Sequence, residues 1–126
     1  MHKIVERFKR YIAIDTKSCE DSSTCPSTPG QLEFGSLLVE ELKELGLEDA
    51  KQDENGYVYA TLKSNMDKNV PIIGFISHLD TSPDIDGKCT NPQIFVYEGG
   101  DIKLNDQYSI TEEEFPFLKG LVGKEL

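Results

Sequence analysis

Basic residues are scarce in this sequence. Its 126 residues include 13 lysines and arginines against 23 aspartates and glutamates, which gives a formal net charge of −10. A chain this acidic repels phosphate backbones and anionic lipid headgroups, and no basic stripe compensates. The composition therefore argues against a nucleic-acid partner.

Long apolar runs are also missing. The longest, Ile72–Ile76, is far shorter than the ~20 residues that a membrane span needs, and the N-terminus has no signal-peptide core. Three cysteines, Cys19, Cys25 and Cys89, make an odd count that does not suggest a disulfide framework. We therefore expect no membrane partner and a cytoplasmic protein.

The length fits one domain, and 37% hydrophobic with 29% charged residues is typical of a globular chain. Apolar residues at helical spacing predict an amphipathic helix over residues 3–14. A second helix is predicted from Pro29, with Thr28 as N-cap and Gln31 completing a capping box, to a stop at Gly46. The residues that supply most of the apolar stripes of these two helices are Ile4, Val5, Phe8, Tyr11, Ile12, Leu32, Leu38, Leu42 and Leu45.

A hairpin is predicted next in the chain. Asn55-Gly56 is typical of a type I′ turn, and it lies between a weak strand over residues 50–54 and a stronger one over residues 57–62. Tyr57 and Tyr59 alternate onto one face of the second strand, where core packing is a better expectation than stacking on a ligand.

The segment Val70–Ser77 is apolar on both faces. This pattern predicts a central strand with neighbours on both edges and cover on both faces, and Pro71 suits its start. Two helices, a hairpin and one buried strand make only half of an α/β layer. We therefore expect residues 1–126 to be the N-terminal segment of a longer α/β domain, incomplete on its own.

The later part of the chain has little apolar sequence. Residues 81–110 predict a long loop region with one or two short strands, and Thr111 predicts the start of a short helix ending near Leu121. Three aspartates, Asp84, Asp86 and Asp101, lack the pattern of a calcium loop, so a solvated surface is the better interpretation.

His78 and Asp80 follow the apolar segment directly, at the strand end where ligands bind in α/β sheets. Residues i and i+2 of an extended chain point to the same side. Asp80 could then accept the proton of one ring nitrogen and leave the other free to bind a metal. From spacing alone, a structural histidine is the more common outcome, and both interpretations stay open.

The longer string Ile73–Asp84, with Asn91-Pro92-Gln93 and Gly99–Ile102 downstream, closely resembles the tripeptide aminopeptidases of the peptidase T family, in the dinuclear zinc-peptidase clan. The resemblance extends over essentially the whole chain. It implies an α/β fold in which residues 1–126 form the N-terminal segment of a zinc-exopeptidase-like catalytic domain, with helices packed on a mixed sheet. It also implies that His78 is a metal ligand to one of two zinc ions, and that Asp80 acts in catalysis by orienting the imidazole.

The implied activity is release of the N-terminal residue from tripeptides by zinc-activated water. The family's other ligands and its general base have no counterpart in residues 1–126, so the chain alone is expected to be inactive. Its expected partners are tripeptide substrates and the missing C-terminal part of the chain. The alternative is a non-catalytic α/β binding or assembly module, monomeric or a homodimer paired through an exposed strand edge.

Overall fold

A computed structural model describes residues 3–89 and 91–126 of the chain. It has two compact units, one ending at residue 89 and the other beginning at residue 91, and it mixes helices with strands as predicted. The strands of the described residues form two separate two-stranded antiparallel sheets, so the mixed sheet expected of the complete domain stays a prediction. No helix in those ranges has the length and apolarity to cross a membrane.

The first helix, α1, spans Lys3–Ile12, two residues shorter than predicted. Its apolar side is only partly covered, because Ile4 and Phe8 are both exposed. Residues 13–28 then form an irregular loop that leads to the second helix.

The second helix, α2, spans Pro29–Glu44, with Thr28 at its N-cap in an extended conformation. Proline suits the first helical position because its missing N–H would have no partner there. Gly46 has φ +91° and follows the helix, a left-handed conformation that glycine adopts without steric cost. The predicted ends of this helix are confirmed.

The predicted capping box of α2 is wrong. The Thr28 hydroxyl donates to the Lys17 carbonyl at 2.9 Å, and the Gln31 amide donates to the Ser27 hydroxyl at 3.1 Å. Both side chains therefore bond to the preceding loop, and neither forms a side-chain cap on α2. The start of α2 is held by tertiary contacts with that loop.

A buried carboxylate, Glu41 of α2, joins the two helices. Arg7 Nε lies 3.0 Å from Oε2 of Glu41, and the Tyr11 hydroxyl donates to the same oxygen at 2.6 Å. The Arg10 guanidinium contacts the other oxygen, Oε1. Tyr11 also packs edge-to-face on Phe34 with 5.0 Å between ring centroids. The apolar periodicity of the helices did not indicate this polar contact.

The contact around Glu41 changes the proton affinities of both partners. Burial, with the hydrogen bond to Glu41, raises the pKa of Tyr11 to about 12. Burial opposes ionisation of Glu41 as well, but the hydrogen bonds from Tyr11 and Arg10 outweigh it and hold the pKa of this carboxyl below its usual value. Glu41 is therefore ionised and Tyr11 neutral at physiological pH.

The hairpin consists of β1, Lys51–Gln52, and β2, Val58–Tyr59, paired antiparallel. The predicted two-residue type I′ turn is wrong, because only Gly56 has a positive φ, at +85°. The Asp53 carboxylate accepts hydrogen bonds from the Asn55 and Tyr57 amides at 3.0 and 2.9 Å. This side chain therefore organises a wider loop over residues 53–57.

The predicted central strand over residues 70–77 is also wrong for this structure. The segment has no regular secondary structure, and its apolar side chains are exposed: Ile72 by 99%, Ile73 by 76%, Phe75 by 95% and Ile76 by 100%. A strand forms only where a neighbour accepts and donates its ladder hydrogen bonds. None of the described residues 3–89 and 91–126 provides that neighbour.

The second unit contains β3, Ile102–Lys103, paired antiparallel with β4, Ser109–Ile110. These confirm the prediction of short strands in this region. Glu112 accepts hydrogen bonds from the Tyr97 hydroxyl and the Gly100 amide at 2.9 and 2.8 Å, and these bonds hold the pKa of Glu112 below its usual value. Tyr97 itself is buried.

The predicted helix from Thr111 begins later. A 3₁₀ helix spans Pro116–Leu121 and buries Leu118. Thr111 caps a separate turn, since its hydroxyl oxygen accepts from the Glu114 amide at 3.2 Å. Pro116 has no N–H to continue that turn, and its fixed φ suits the start of the next helix.

Candidate functional site

The chain just after the apolar segment is anchored at Thr81. The Thr81 amide donates to the Thr16 carbonyl at 3.2 Å, and the Ser18 amide donates to the Thr81 carbonyl at 3.0 Å. Lys17 and Thr81 thereby form a short parallel bridge. This anchor fixes the position of His78 and Asp80, which precede it by three residues and one.

The loop after Thr81 is also fixed at its other end. The Cys89 amide donates to the Ile12 carbonyl at 2.7 Å, at the end of α1. Gly87 packs against Thr81 so closely that a Cβ at this position would lie 2.8 Å from the threonine hydroxyl. Ser82 donates to the Asp84 carboxylate at 2.9 Å. Residues 82–84, at the end of the string Ile73–Asp84, therefore form a local turn.

His78 and Asp80 are in contact. Nδ1 of His78 lies 3.0 Å from Oδ1 of Asp80, and the histidine side chain is 82% exposed. A carboxylate only accepts hydrogen bonds, so Nδ1 carries the proton in this pair. In the neutral ring, Nε2 then keeps a lone pair that faces solvent and is free to bind a metal or to accept a proton.

A cavity of about 760 Å³ lies beside this pair. Three segments and Gln31 of α2 line it: the loop at residues 24–27, the hairpin at residues 55–59, and residues 75–80. Tyr57 and Tyr59 both line the cavity and are more than half exposed, with 6.3 Å between ring centroids. The prediction that these tyrosines pack into the core is therefore wrong, because no element among residues 3–89 and 91–126 buries them.

Cys25 also lines this cavity, although it lies 30 residues before Asn55 of the hairpin turn. Its Sγ lies 3.9 Å from the Asn55 carbonyl, and it lines the cavity with His78 and Asp80. All three cysteines of the chain are free thiols. The sequence gives no signal that Cys25 and His78 share a cavity.

The residues present fit one ligand position of a zinc site. Catalytic zinc takes three protein ligands and an open position, and His78 supplies one nitrogen with a carboxylate behind it, the usual support for a metal-binding imidazole. Across residues 3–89 and 91–126, no three His, Cys, Asp or Glu side chains converge to hold a metal ion. The roles assigned to His78 and Asp80 stay predictions.

Comparison with known proteins gives a consistent result. No family model matches the chain. It is 54% identical to Peptidase T of Bacillus subtilis (strain 168) over 127 residues and 52% identical to Peptidase T of Shouchella clausii (strain KSM-K16), in both cases over 98% of this chain. Against Peptidase T of Bacillus anthracis (strain A0248) the identity is 55% over 96% of the chain.

The coverage of the relatives is much smaller. The chain spans 30 to 31% of the length of these three proteins. The resemblance to peptidase T that the string around His78 indicated is therefore confirmed over nearly all of this chain, and over about a third of the relatives.

Proposed function

We propose that this chain, so closely similar to part of peptidase T, is the N-terminal segment of a zinc-dependent tripeptide aminopeptidase. The observation that carries the proposal is 52 to 55% identity to proteins of that name along 96 to 98% of the chain. Identity at this level extends through both units, so it is not limited to one short motif. The contact between His78 and Asp80 supports the same proposal independently.

In this proposal Nε2 of His78 binds one of two zinc ions, and Asp80 holds the ring in the tautomer that makes this possible. The carboxylate fixes the imidazole by its 3.0 Å contact with Nδ1. Such zinc pairs activate a water molecule and polarise the scissile carbonyl. The remaining ligands would come from the part of the protein that corresponds to the uncovered two-thirds of the relatives.

Three further features belong to the proposal. The complete catalytic domain has the zinc-exopeptidase-like fold with helices packed on a mixed sheet, in which residues 1–126 are one segment and have no activity alone. Its substrates are tripeptides, from which it releases the first residue. Its compartment is the cytoplasm, in line with three free thiols.

The test is a chimera in which this chain replaces the matching third of Peptidase T from Bacillus subtilis. We expect the chimera to bind zinc and to hydrolyse tripeptides in preference to dipeptides. His78→Ala removes a ligand and should abolish binding of one zinc ion together with activity. Asp80→Ala should lower metal affinity or activity about 10- to 100-fold, since it removes only the support of the ligand.

His2→Ala is the matched control, because His2 and His78 are the two histidines of the chain. This variant should keep full zinc content and activity. A folded chimera that hydrolyses no peptide, or one whose zinc content is the same with and without His78, overturns the proposal. Either result would favour the non-catalytic binding module.

A further inference from the structure

Gln31, near the start of α2, is a buried polar residue that the proposed mechanism does not use. It is only 7% exposed. Its amide nitrogen, Nε2, lies 3.4 Å from the carbonyl oxygens of Thr16 and Lys17 and 3.1 Å from the Ser27 hydroxyl. Three acceptors around one atom identify that atom as the NH₂ group, because a flipped amide would place its oxygen against the same two carbonyls. The orientation of the Gln31 amide is therefore fixed by the loop.

The oxygen of the same amide has no such partner. No N–H or O–H group within residues 3–89 and 91–126 donates a hydrogen bond to Gln31 Oε1, and this oxygen is not sealed from solvent. The open space that Gln31 lines is the 760 Å³ cavity beside His78 and Asp80. Because Nε2 is bound to the loop, Oε1 is the polar atom that Gln31 offers to a molecule in this cavity.

The rest of the cavity wall indicates the chemistry of that molecule. The described residues that line it include one carboxylate, Asp80, and neither lysine nor arginine. Tyr57 and Tyr59 also line it, and both are more than half exposed. Aromatic faces attract an ammonium group, and amide and carboxylate oxygens accept its hydrogens. The wall therefore suits a cationic N–H donor, and it has no lysine or arginine to bind a carboxylate or a phosphate.

We propose that this cavity binds the free amino group of a peptide, with Gln31 Oε1 accepting a hydrogen bond from the ammonium. The rings of Tyr57 and Tyr59 contribute a cation–π contact. The inference rests on the proposed function, in which the substrates have a free N-terminus. It adds Gln31 as a substrate-binding residue that reads this group.

The position of the cavity agrees with the chemistry of an aminopeptidase. The carbonyl that such an enzyme attacks is attached to the same carbon atom as the free amino group, so a site for that amino group must adjoin the metal. His78 lines this cavity, and its Nε2 is the nitrogen proposed to bind zinc. A peptide whose ammonium contacts Gln31 thus has its first carbonyl on the side of the proposed metal.

The experiment compares two peptides that differ only in this group: trialanine, and N-propanoyl-dialanine, in which hydrogen replaces the ammonium. Their dissociation constants for this chain are measured by NMR titration with chelator present, so that zinc takes no part. We expect trialanine to bind at least about tenfold more tightly, as one hydrogen bond to a charged group predicts. Trialanine, but not its analogue, should shift the side-chain NH₂ resonances of Gln31, a measurement that needs no variant.

Gln31→Met and Gln31→Glu separate ligand binding from a structural role. Both remove the NH₂ group that bonds to the loop at residues 13–28, but only Gln31→Glu keeps an acceptor oxygen. Gln31→Met should reduce the preference for trialanine to less than about threefold, whereas Gln31→Glu should retain it. If Gln31 served only to hold the loop, the two variants would behave alike.

Gln52→Met is the matched control. The Gln52 side chain already uses both ends of its amide, donating to the Leu32 carbonyl at 3.2 Å and accepting from the Ser36 hydroxyl at 3.0 Å, and it does not line the cavity. This variant should keep the preference within about twofold of that of the unmodified chain. Unchanged hydrogen exchange of α2 amides would show that each variant is folded.

Three results would overturn the inference: equal affinity of the unmodified chain for the two peptides, equal effects of Gln31→Met and Gln31→Glu, or Gln31 resonances that trialanine does not shift. In each case water is the only partner of Oε1. None of these measurements needs zinc or activity, and failure of the proposed function is detected separately in the chimera. A preference for trialanine alongside an inactive chimera would leave the ammonium site standing and remove the enzymatic role.

Discussion

Two regions of the first unit differ in whether their groups find hydrogen-bond partners among the described residues. In the helix and hairpin at residues 29–59, polar groups find partners nearby: the Gln52 side chain donates to the Leu32 carbonyl at 3.2 Å and accepts from Ser36 at 3.0 Å. The apolar segment at residues 72–77 has stronger strand-forming sequence and yet pairs with none of the described residues. The first region finds its partners within the described part of the chain, whereas the second finds none there.

The buried residues lead to the same distinction. Three of those in the described part of the first unit are polar, Thr16, Gln31 and Glu41, and the others are small: Gly35, Ala50 and Gly56. The helical region is thus held by hydrogen bonds and ion pairs, while large apolar side chains such as those of residues 72–76 stay in solvent. Substitutions should therefore have large effects near α2 and small ones at residues 72–77.

The largest effect is expected for Gly30→Ala, at the start of α2. A Cβ at this position would lie 1.7 Å from the Asp15 carbonyl oxygen, a backbone atom that cannot move without shifting the loop at residues 15–18. We expect a loss of about 2–3 kcal/mol in the free energy of unfolding. Urea denaturation followed by circular dichroism measures it.

Gly120→Ala serves as the control for this substitution, since a Cβ there meets no atom within 4 Å. Its unfolding midpoint should match that of the unmodified chain. A Gly30→Ala variant that is equally stable would show that the start of α2 is loosely packed, and the contrast with residues 72–77 would be lost.

The second prediction concerns Glu41→Ala, which removes the carboxylate shared by Arg7, Arg10 and Tyr11. Both arginines are partly exposed and can be rehydrated, so we expect a moderate loss of about 1–2 kcal/mol at pH 7. Because the pKa of Glu41 is lowered on folding, its stabilisation is present above the unfolded pKa. It is lost as the pH falls through the folded one.

Denaturation of Glu41→Ala and of the unmodified chain at pH 7 and in acid checks this prediction. The difference between them should shrink in acid. Glu40→Ala is the control, because Glu40 lies on the same helix and is exposed. Equal effects of the two substitutions would mean that the helix contact contributes nothing beyond ordinary surface charge.

The fold was predictable where a single residue's backbone preference decides the structure. The bounds of α2 follow from Pro29 and Gly46, whose backbone preferences act alone. The turn after β1 was not predictable in type, because the Asp53 carboxylate competes for the amides of Asn55 and Tyr57. The strand at residues 70–77 was not confirmed, since strand formation depends on partners that no local pattern provides.

The candidate site was predictable in its first contact only. The spacing of His78 and Asp80 indicated the hydrogen bond that the structure contains. The place of Tyr57 and Tyr59 in the cavity lining was not predicted. Their exposure depends on which elements cover β2, whereas their alternation along the strand shows only that they share a face. Cys25 reaches the cavity because the irregular loop at residues 13–28 places it there. An irregular loop has no periodic sequence pattern from which its path could be predicted.

The third prediction is an alkaline test of the same helix contact. The pKa of Tyr11 is raised to about 12 by folding, so its neutral form stabilises the fold below the unfolded pKa of about 10. This contribution is lost as the pH rises toward 12. Allowing for solvent screening, we expect about 1 kcal/mol of stability to depend on it.

Unfolding free energies at pH 9 and 11.5 test this dependence. Tyr11→Phe should lose less stability over this range than the unmodified chain. Tyr108→Phe alters an exposed tyrosine of the second unit and should leave the difference unchanged. Identical pH dependence of all three chains would show that Tyr11 is not buried against α2 in solution.

The smallest effect is expected for Gly74→Ala, in the middle of the apolar segment at residues 72–77. A Cβ there meets no atom within 4 Å, so the methyl group neither clashes nor packs, and we expect a change below about 0.5 kcal/mol in the unfolding of this chain. Urea denaturation of the variant beside the unmodified chain measures the difference. A larger loss of stability would mean that residues 72–77 are already packed, and the contrast between the two regions would fail at its weakest point.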